Sequence, residues 1–535
     1  MGNNARTRFA IGAALIAAMV VAGCNGTTTA PPDASMPATT SEGAGAQPEA
    51  PVEVGGYASE EPLELKIHLH YNDMTVFKDD WSTFRQAAEI TNVTLKGTAS
   101  ETATNSNEVF NLMLASGSLP DIIHGNKDPM NEAGMDGALI PLDELIEEHA
   151  PNIKKFLEEH DWARKGSLNS DGKLYYIPFV MDGKASTGFF IRQDWLDKLG
   201  LPAPTTVDAY YETLVAIRDG DPNGNGKKDE VPYFNRNTAG ALDLVQLFGG
   251  HTGWYEDGGT VRYGKYEPEY KTAMVELAKW YAEGLIDKEI FTRGGKAREM
   301  LLGNNTGGST HDWFGSTASY NDRLQSEVPG LNFLPIAPPA DVNGVVKEMY
   351  SRSLLPGKGW GISYSNKHPV ETIKYFDFWF TEEGRRLNNF GVEGVHYDMV
   401  DGKPIFKAEV LNGELPVNTF LYGEGAQIEI GFQQDFSYEE QWLNPIARDG
   451  MRMYIDNDFF LPQFPPVSFK EEEQAVITQK WTAIDTFIRE TEQKWIMGAE
   501  PVEPNFDAYL GALKNMGMDE IVGIYNAAYQ RYNGK

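Results

Sequence analysis

Apolar residues along this chain fall into short alternating runs and longer helical stripes that follow one another in order. Leu63-Glu-Leu-Lys-Ile-His-Leu-His70 alternates apolar and polar side chains, which predicts a strand. Asp80 to Ile90 has helical spacing, Val93–Lys96 reads as a second strand, and Asn107–Ala115 as a helix. Ser116-Gly-Ser-Leu-Pro120 breaks that helix before the run Asp121-Ile-Ile-His124. Strand, helix, strand, helix, strand predicts an α/β fold with parallel pairing, in which ligands sit beyond the carboxyl ends of strands. That rule places Tyr71 and Asn72 on one rim together with His124 and Asn126. His68 and His70 share a strand face, but no third ligand lies nearby to make a metal site. Two more short strands, Asp171–Pro178 and Gly188–Arg192, precede a helix at Asp194–Leu199 that is stopped by Gly200 and Pro202. Further along, Lys271–Gly284 carries Met274, Leu277, Ala278, Tyr281 and, just beyond, Leu285 on one stripe. Trp360–Tyr364 predicts a strand and Val370–Phe380 a helix. Glu471–Met497, Asp507–Met516 and Asp519–Tyr532 predict three closing helices.

The first 60 residues obey different rules. Arg6 and Arg8 precede the apolar run Phe9–Val21, and Val-Ala-Gly-Cys24 ends it, the pattern of an export signal over residues 1–24. The small residues before Cys24 resemble a bacterial lipobox, whose cysteine is lipidated and becomes the new N-terminus. Residues 25–60 are Thr, Pro, Ala, Gly, Ser and Glu with few large apolar side chains, which predicts a disordered tether. Cys24 is the only cysteine, so neither an intrachain disulfide nor a thiolate zinc site is available. No other stretch is apolar over the length a membrane helix needs.

The remaining body is long enough for two lobes. Its charge adds to the picture: 46 Lys and Arg stand against 77 Asp and Glu, a net charge of −31. A field of that sign repels nucleic acid and polyphosphates and suits an exported protein.

One stretch carries metal chemistry. In Asp219–Tyr233, the residues Asp221, Asn223 and Asn225 alternate, Gly226 follows, and Asp229 and Glu230 close the run. Oxygen donors at alternate positions with a glycine at the sharp turn form the opening of a calcium loop. The carbonyl of Lys227 adds a further donor. The closing acid comes two positions earlier than in an EF-hand, so the loop is a compact relative; a solvated Asn/Gly turn is the other reading. Thr205-Thr-Val-Asp208 before it starts a helix in the manner of a capping box, with Val207, Tyr211, Leu214 and Ile217 following at helical spacing. An ion here would be structural.

Five stretches in order carry a resemblance. They are Leu114-Ala-Ser-Gly-Ser-Leu-Pro-Asp-Ile122, Asp171-Gly-Lys-Leu-Tyr-Tyr-Ile-Pro178, Phe190-Ile-Arg-Gln-Asp-Trp-Leu-Asp-Lys-Leu-Gly200, the calcium-like loop, and Gly361-Ile-Ser. Together they resemble the lipid-anchored extracellular solute-binding proteins of bacterial ABC importers, family 1, in the branch of alginate- and pectin-oligosaccharide binders. Ser118 departs from the acid expected before Leu-Pro-Asp. The resemblance implies a two-lobed, type II periplasmic-binding-protein-like α/β fold with a helical C-terminal region. It implies an N-terminal lobe of residues 62–182 plus 362–420 and a C-terminal lobe of 183–361 plus 421–535. Crossings would fall near 180–188, 360–364 and 412–430. It also implies structural calcium held by Asp221, Asn223, Asn225, Lys227, Asp229 and Glu230, a carbohydrate ligand, a membrane permease as partner, a monomer, and no catalysis.

Sugar sites combine aromatic platforms with planar polar groups. Candidates on the implied cleft are Tyr71, Asn72, His124, Asn126, Arg236, Asn237, Trp254, His311, Asp312, Trp313, Trp360 and Tyr397. His311-Asp-Trp-Phe314 is the best group, following the glycine-rich Gly303–Gly308. Arg236, flanked by asparagines, would suit a carboxylate-bearing solute. The rival readings are an exported glycoside hydrolase, which needs two carboxylates across the cleft, and a tethered surface adhesin. No Gly-x-Ser-x-Gly elbow, phosphate loop or His-Glu-x-x-His helix is present.

Overall fold

The computed structural model describes residues 56–534, so the export signal, Cys24 and most of the expected tether lie outside the described residues. The expected boundary at residue 60 shifts, because Ala58 is buried in the core and the Tyr57 hydroxyl donates to Asp377 at 2.9 Å.

The alternating segments build two sheets. The first has six strands in the order Phe432–Gln433, Ile177–Val180, Lys358–Ile362, Ile122–Asn126, Leu63–His68, Val93–Gly97. Leu63–His68 runs parallel to both Val93–Gly97 and Ile122–Asn126, as the strand-helix-strand order requires. Lys358–Ile362 inserts antiparallel between Ile122–Asn126 and Ile177–Val180. The second sheet has four strands, in the order Phe333–Ile336, Thr187–Arg192, Gly307–Trp313, Val231–Tyr233.

Both sheets are covered on two faces, which explains their continuous apolar runs. In Thr187–Arg192, Phe189 and Ile191 enter one core cluster while Phe190 enters another, the two-residue period of a strand. The cluster around Phe189 is closed by the helix Pro268–Ala282 and by Glu471–Ile496, Val502–Asn515 and Met518–Tyr532. Met274, Leu277 and Leu285 are buried there as their spacing predicts.

The chain passes between the sheets after Val180, after Ile336 and after Gln433. These three crossings are hydrogen-bonded to one another. Met181 N–H donates to Leu354 O at 2.9 Å, Arg352 N–H to Lys184 O at 2.7 Å, and Gln434 N–H to Val180 O at 2.8 Å. Gly183 there has φ +82°, and a Cβ would lie 2.5 Å from the Phe436 ring, so only glycine fits. Lys358–Ile362 and Phe432–Gln433 thus lie wholly in the first sheet, whereas the implied crossings cut through or preceded them.

Candidate functional site

On the first sheet, the strand Leu63–His68 ends in a tight turn at the rim. Asn72 and Asp73 adopt φ of +52° and +59°, a conformation that short polar side chains tolerate. Asp73 Oδ1 accepts from Ser106 N–H at 2.8 Å, the Ser106 hydroxyl accepts from Asp73 N–H at 2.9 Å, and His70 Nδ1 lies 2.7 Å from the same hydroxyl. This network ties the turn to the helix Ser106–Ser116 and frames a cavity of about 450 Å³ lined by Tyr71, Asn72, Asn126 and their neighbours.

Behind the rim, His124 packs 5.1 Å from the Tyr71 ring. His124 Nε2 lies 2.8 Å from the Glu429 carbonyl oxygen, and the Tyr71 hydroxyl accepts from Glu429 N–H at 3.3 Å. Burial pushes the His124 pKa down to about 3, so the ring is neutral. Lys358 bridges the rim: its ammonium donates to Asn72 Oδ1 at 3.0 Å, pairs with Glu429, and stands 5.1 Å over the Tyr71 ring. Tyr71, Asn72, His124 and Asn126 therefore converge, with Lys358 and Glu429 joining them. No local motif pointed to those two, because each arrives from a segment hundreds of residues away.

The second rim is built differently. Gly307–Trp313 carries His311, Asp312 and Trp313 in succession. His311 Nδ1 is 3.2 Å from Asp243 Oδ2, and Nε2 is 3.0 Å from Glu348 Oε2. Burial alone would lower its pKa; the Glu348 charge and the bonds to Asp243 and Glu348 override that and raise it to about 10. This imidazole is held as a cation. Asp312, also buried, accepts from Arg236 Nε at 3.0 Å, and Arg298 Nε lies 3.4 Å from its other oxygen. Arg236 is thereby fixed at the rim with part of its guanidinium open. Asn237 follows it and is bonded through its backbone to Asn235 Oδ1. Trp313 alone of the candidate tryptophans is open, with 46% of its surface exposed.

Three candidates lie elsewhere. Trp360 is fully buried in the first sheet's core, stacked on Phe376 with centroids 4.4 Å apart. Trp254 stacks at 3.6 Å on Tyr525 of the last helix, where it seals the second sheet's outer layer. Tyr397 is buried against Phe390 under the hairpin Tyr397–Phe406. Each is a packing residue: Trp360 and Trp254 carry a ring stacked on one face, and Tyr397 is buried with the tilted Phe390 ring beside it. Between the two rims, Arg352 on one crossing forms a forked pair with Glu439 at 2.6 and 3.0 Å, and Tyr422 stands 40% exposed. Sequence reading missed these as well.

The loop after Val207–Gly220 has the foreseen helix start, with Thr206 Oγ1 accepting from Ala209 N–H at 3.2 Å. It leaves into the strand Val231–Tyr233, so no helix pair flanks it. Asp221 accepts from Asn225 and Gly226 N–H, and Asp229 accepts from the amides of Asn223 and Asn225. Both carboxylate oxygens of Glu230 are buried without a hydrogen-bond partner among the described residues. Burial first, then the charges of Asp229 and Asp221, hold the Glu230 pKa above the usual carboxylate range. The orphaned Glu230 carboxylate beside Asp221 and Asp229 is oxygen chemistry of the kind a hard cation such as calcium takes, and among the described residues no three acids yet close on one point.

A family model described as bacterial extracellular solute-binding protein matches residues 72–386. A crystal structure of alginate-binding protein AlgQ2 without calcium ion is 42% identical, aligns with 88% of this chain and 99% of that one, and has a TM-score of 0.73. The fructooligosaccharide ABC transporter substrate-binding protein FusA of Streptococcus pneumoniae serotype 4 is 26% identical, over 79% of this chain and 82% of its own. Lipoprotein LipO of Bacillus subtilis is also 26% identical, over 79% and 84%.

Proposed function

Because this chain belongs to the family of bacterial extracellular solute-binding proteins, we propose that it captures an oligosaccharide between its two sheets and delivers it to the permease of an ABC importer. The observation that carries this reading is the pair of polar rims, one on each sheet, joined by three crossings. One rim offers Asn72 and Asn126 beside a cavity; the other offers Arg236 and the open face of Trp313. Planar polar groups bind hydroxyls, and an exposed indole stacks on a pyranose face. The 42% identical relative is named as an alginate binder, and a fixed Arg236 suits an acidic sugar. The relatives are named as binding proteins, which favours capture over the hydrolase reading.

The lobes follow the sheets. We assign the first lobe to the elements of the six-stranded sheet and the second to those of the four-stranded sheet with the closing helices. Calcium in the second lobe would be held by Asp221, Asn223, Asn225, the Lys227 carbonyl, Asp229 and Glu230. The ion would neutralise the crowded acids and fix the exit of Val207–Gly220. Lipid attachment at Cys24 would tether a monomer at the membrane surface.

A thermal-shift screen against neutral and acidic oligosaccharides, paired with a turnover assay, tests the central reading. A melting shift without product release is expected; product release overturns it. Saturating calcium at about a hundred times Kd should add roughly 2.7 kcal/mol, and a melting temperature insensitive to chelator removes the ion. Cys24→Ala should release the protein from the membrane fraction; retention would count against the anchor.

A further inference from the structure

Five cationic side chains from three separate segments surround one cavity of about 580 Å³, none of whose lining residues belongs to either rim. Arg385 and Arg386 come from the helix Glu382–Phe390, Lys403 from the hairpin Tyr397–Phe406, and Arg448 and Arg452 from the helix Pro445–Asp456. The carboxylates that share the lining are Glu382, Asp435 and Glu440. A local excess of cations is unexpected in a chain whose acids outnumber its bases 77 to 46.

The pairing inside this cavity is incomplete. Arg386 is bonded to Glu382, and Arg452 donates to Glu440 at 3.1 Å. Arg385 spends its donors on the backbone carbonyls of Gln433 and Gln434, at 3.2 and 3.3 Å, and has no carboxylate within 4 Å among the described residues. Lys403 has none either. Arg448 has only Asp449, 3.8 Å away and not in the lining. The Nε atoms of Arg386 and Arg448 are both buried with no hydrogen-bond partner among the described residues. A buried charged donor without an acceptor is costly, and such an atom calls for a partner.

Guanidinium forks match carboxylate and phosphate oxygens, two bonds at a time. The volume lies within the range of organic ligand sites and exceeds what one inorganic ion fills. We propose that this cavity is a second binding site, distinct from the cleft, for an organic polyanion of up to about disaccharide size. Its ligand carries at least two carboxylate groups. Two sources share that chemistry: a free polycarboxylate, and an acidic sugar fragment.

Calorimetric titration of the purified full chain at low ionic strength tests it, with citrate for the first source and digalacturonate for the second. At least one probe should bind, and Lys403→Gln combined with Arg448→Gln should weaken it at least tenfold. Trp313→Ala should leave that binding unchanged, which separates the cavity from the cleft. The exposed single change Lys403→Glu, which has no packing to disturb, should weaken the same probe. Citrate binding lost in the double variant assigns a free polycarboxylate; digalacturonate binding that survives Trp313→Ala and fails in the double variant assigns an acidic sugar. Absence of binding by both probes, or affinity equal in wild type and double variant, overturns the site.

Discussion

His124 and His311 lie on interior strands of the two sheets, each close to a rim, each almost wholly buried, and the molecule keeps them in opposite protonation states. His124 meets a backbone carbonyl and an aromatic ring, so removal from water decides its state and it stays neutral. His311 is equally removed from water, yet two carboxylates at 3.0 and 3.2 Å reverse the outcome. Burial therefore does not set the charge of an imidazole; the partners it is buried with do. The contrast extends to the tryptophans. The first sheet covers Trp360 completely, while the second leaves Trp313 open to solvent at the end of the charged strand. One rim is held by packing, hydrogen bonds and the single Lys358–Glu429 pair, the other by linked ion pairs around His311 and Asp312.

The largest expected effects come from removing one partner on the charged side. Glu348→Ala strands the His311 cation and should cost about 3–5 kcal/mol by chemical denaturation. His124→Phe on the other side loses one hydrogen bond and should cost about 1 kcal/mol; equal losses would dissolve the contrast. Trp360→Ala should cost about 3–5 kcal/mol through the cavity it leaves in the first sheet.

The histidines also predict opposite pH responses. His124 and His68 have folded pKa values lowered to about 3 and about 4, so their contribution to stability is full above about 6.5. It is lost as pH falls from there through the folded values. His311 is raised to about 10, so its contribution is full below about 6.5 and is lost as pH rises towards 10. Melting curves of His124→Phe and His311→Gln should flatten the acid and alkaline limbs respectively. A variant that flattens the wrong limb overturns its assignment.

The smallest stability effect is expected at Trp313. Its truncation to Ala should change stability by less than about 0.5 kcal/mol, as for an exposed side chain, while weakening oligosaccharide binding at least tenfold. Affinity retained with stability lost would make Trp313 a packing residue like Trp360.

Much of this was legible in the chain. Alternation gave the strand at Leu63, the break at Ser116–Pro120 set off the one at Ile122, and the stripe through Met274 and Leu277 gave the helix that closes the second sheet. The helix start at Thr206 and the turn over Asp221–Gly226 were readable because their hydrogen-bonding groups are local in sequence. Aromatic candidates were another matter. Trp313 and Trp360 both end or occupy strands beside glycines, and nothing in either local pattern says which ring a second aromatic will cover. Phe376 covers one, and among the described residues no aromatic ring packs on the other, which stays 46% exposed. Lys358, Glu429 and Arg352 were invisible for the same reason: their partners Asn72, Tyr71 and Glu439 lie too far along the chain for spacing to reveal.

The interleaving of the two sheets has a consequence for how this chain is made. Lys358–Ile362 and Phe432–Gln433 complete the six-stranded sheet only after the whole four-stranded sheet has been synthesised. An N-terminal fragment ending near residue 180 would expose the edge of Ile122–Asn126, a template for pairing with another chain. The first half thus lacks two strands of its own sheet while the ribosome is still at work. For a member of an extracellular protein family, that delay would favour threading of the early segments before they fold.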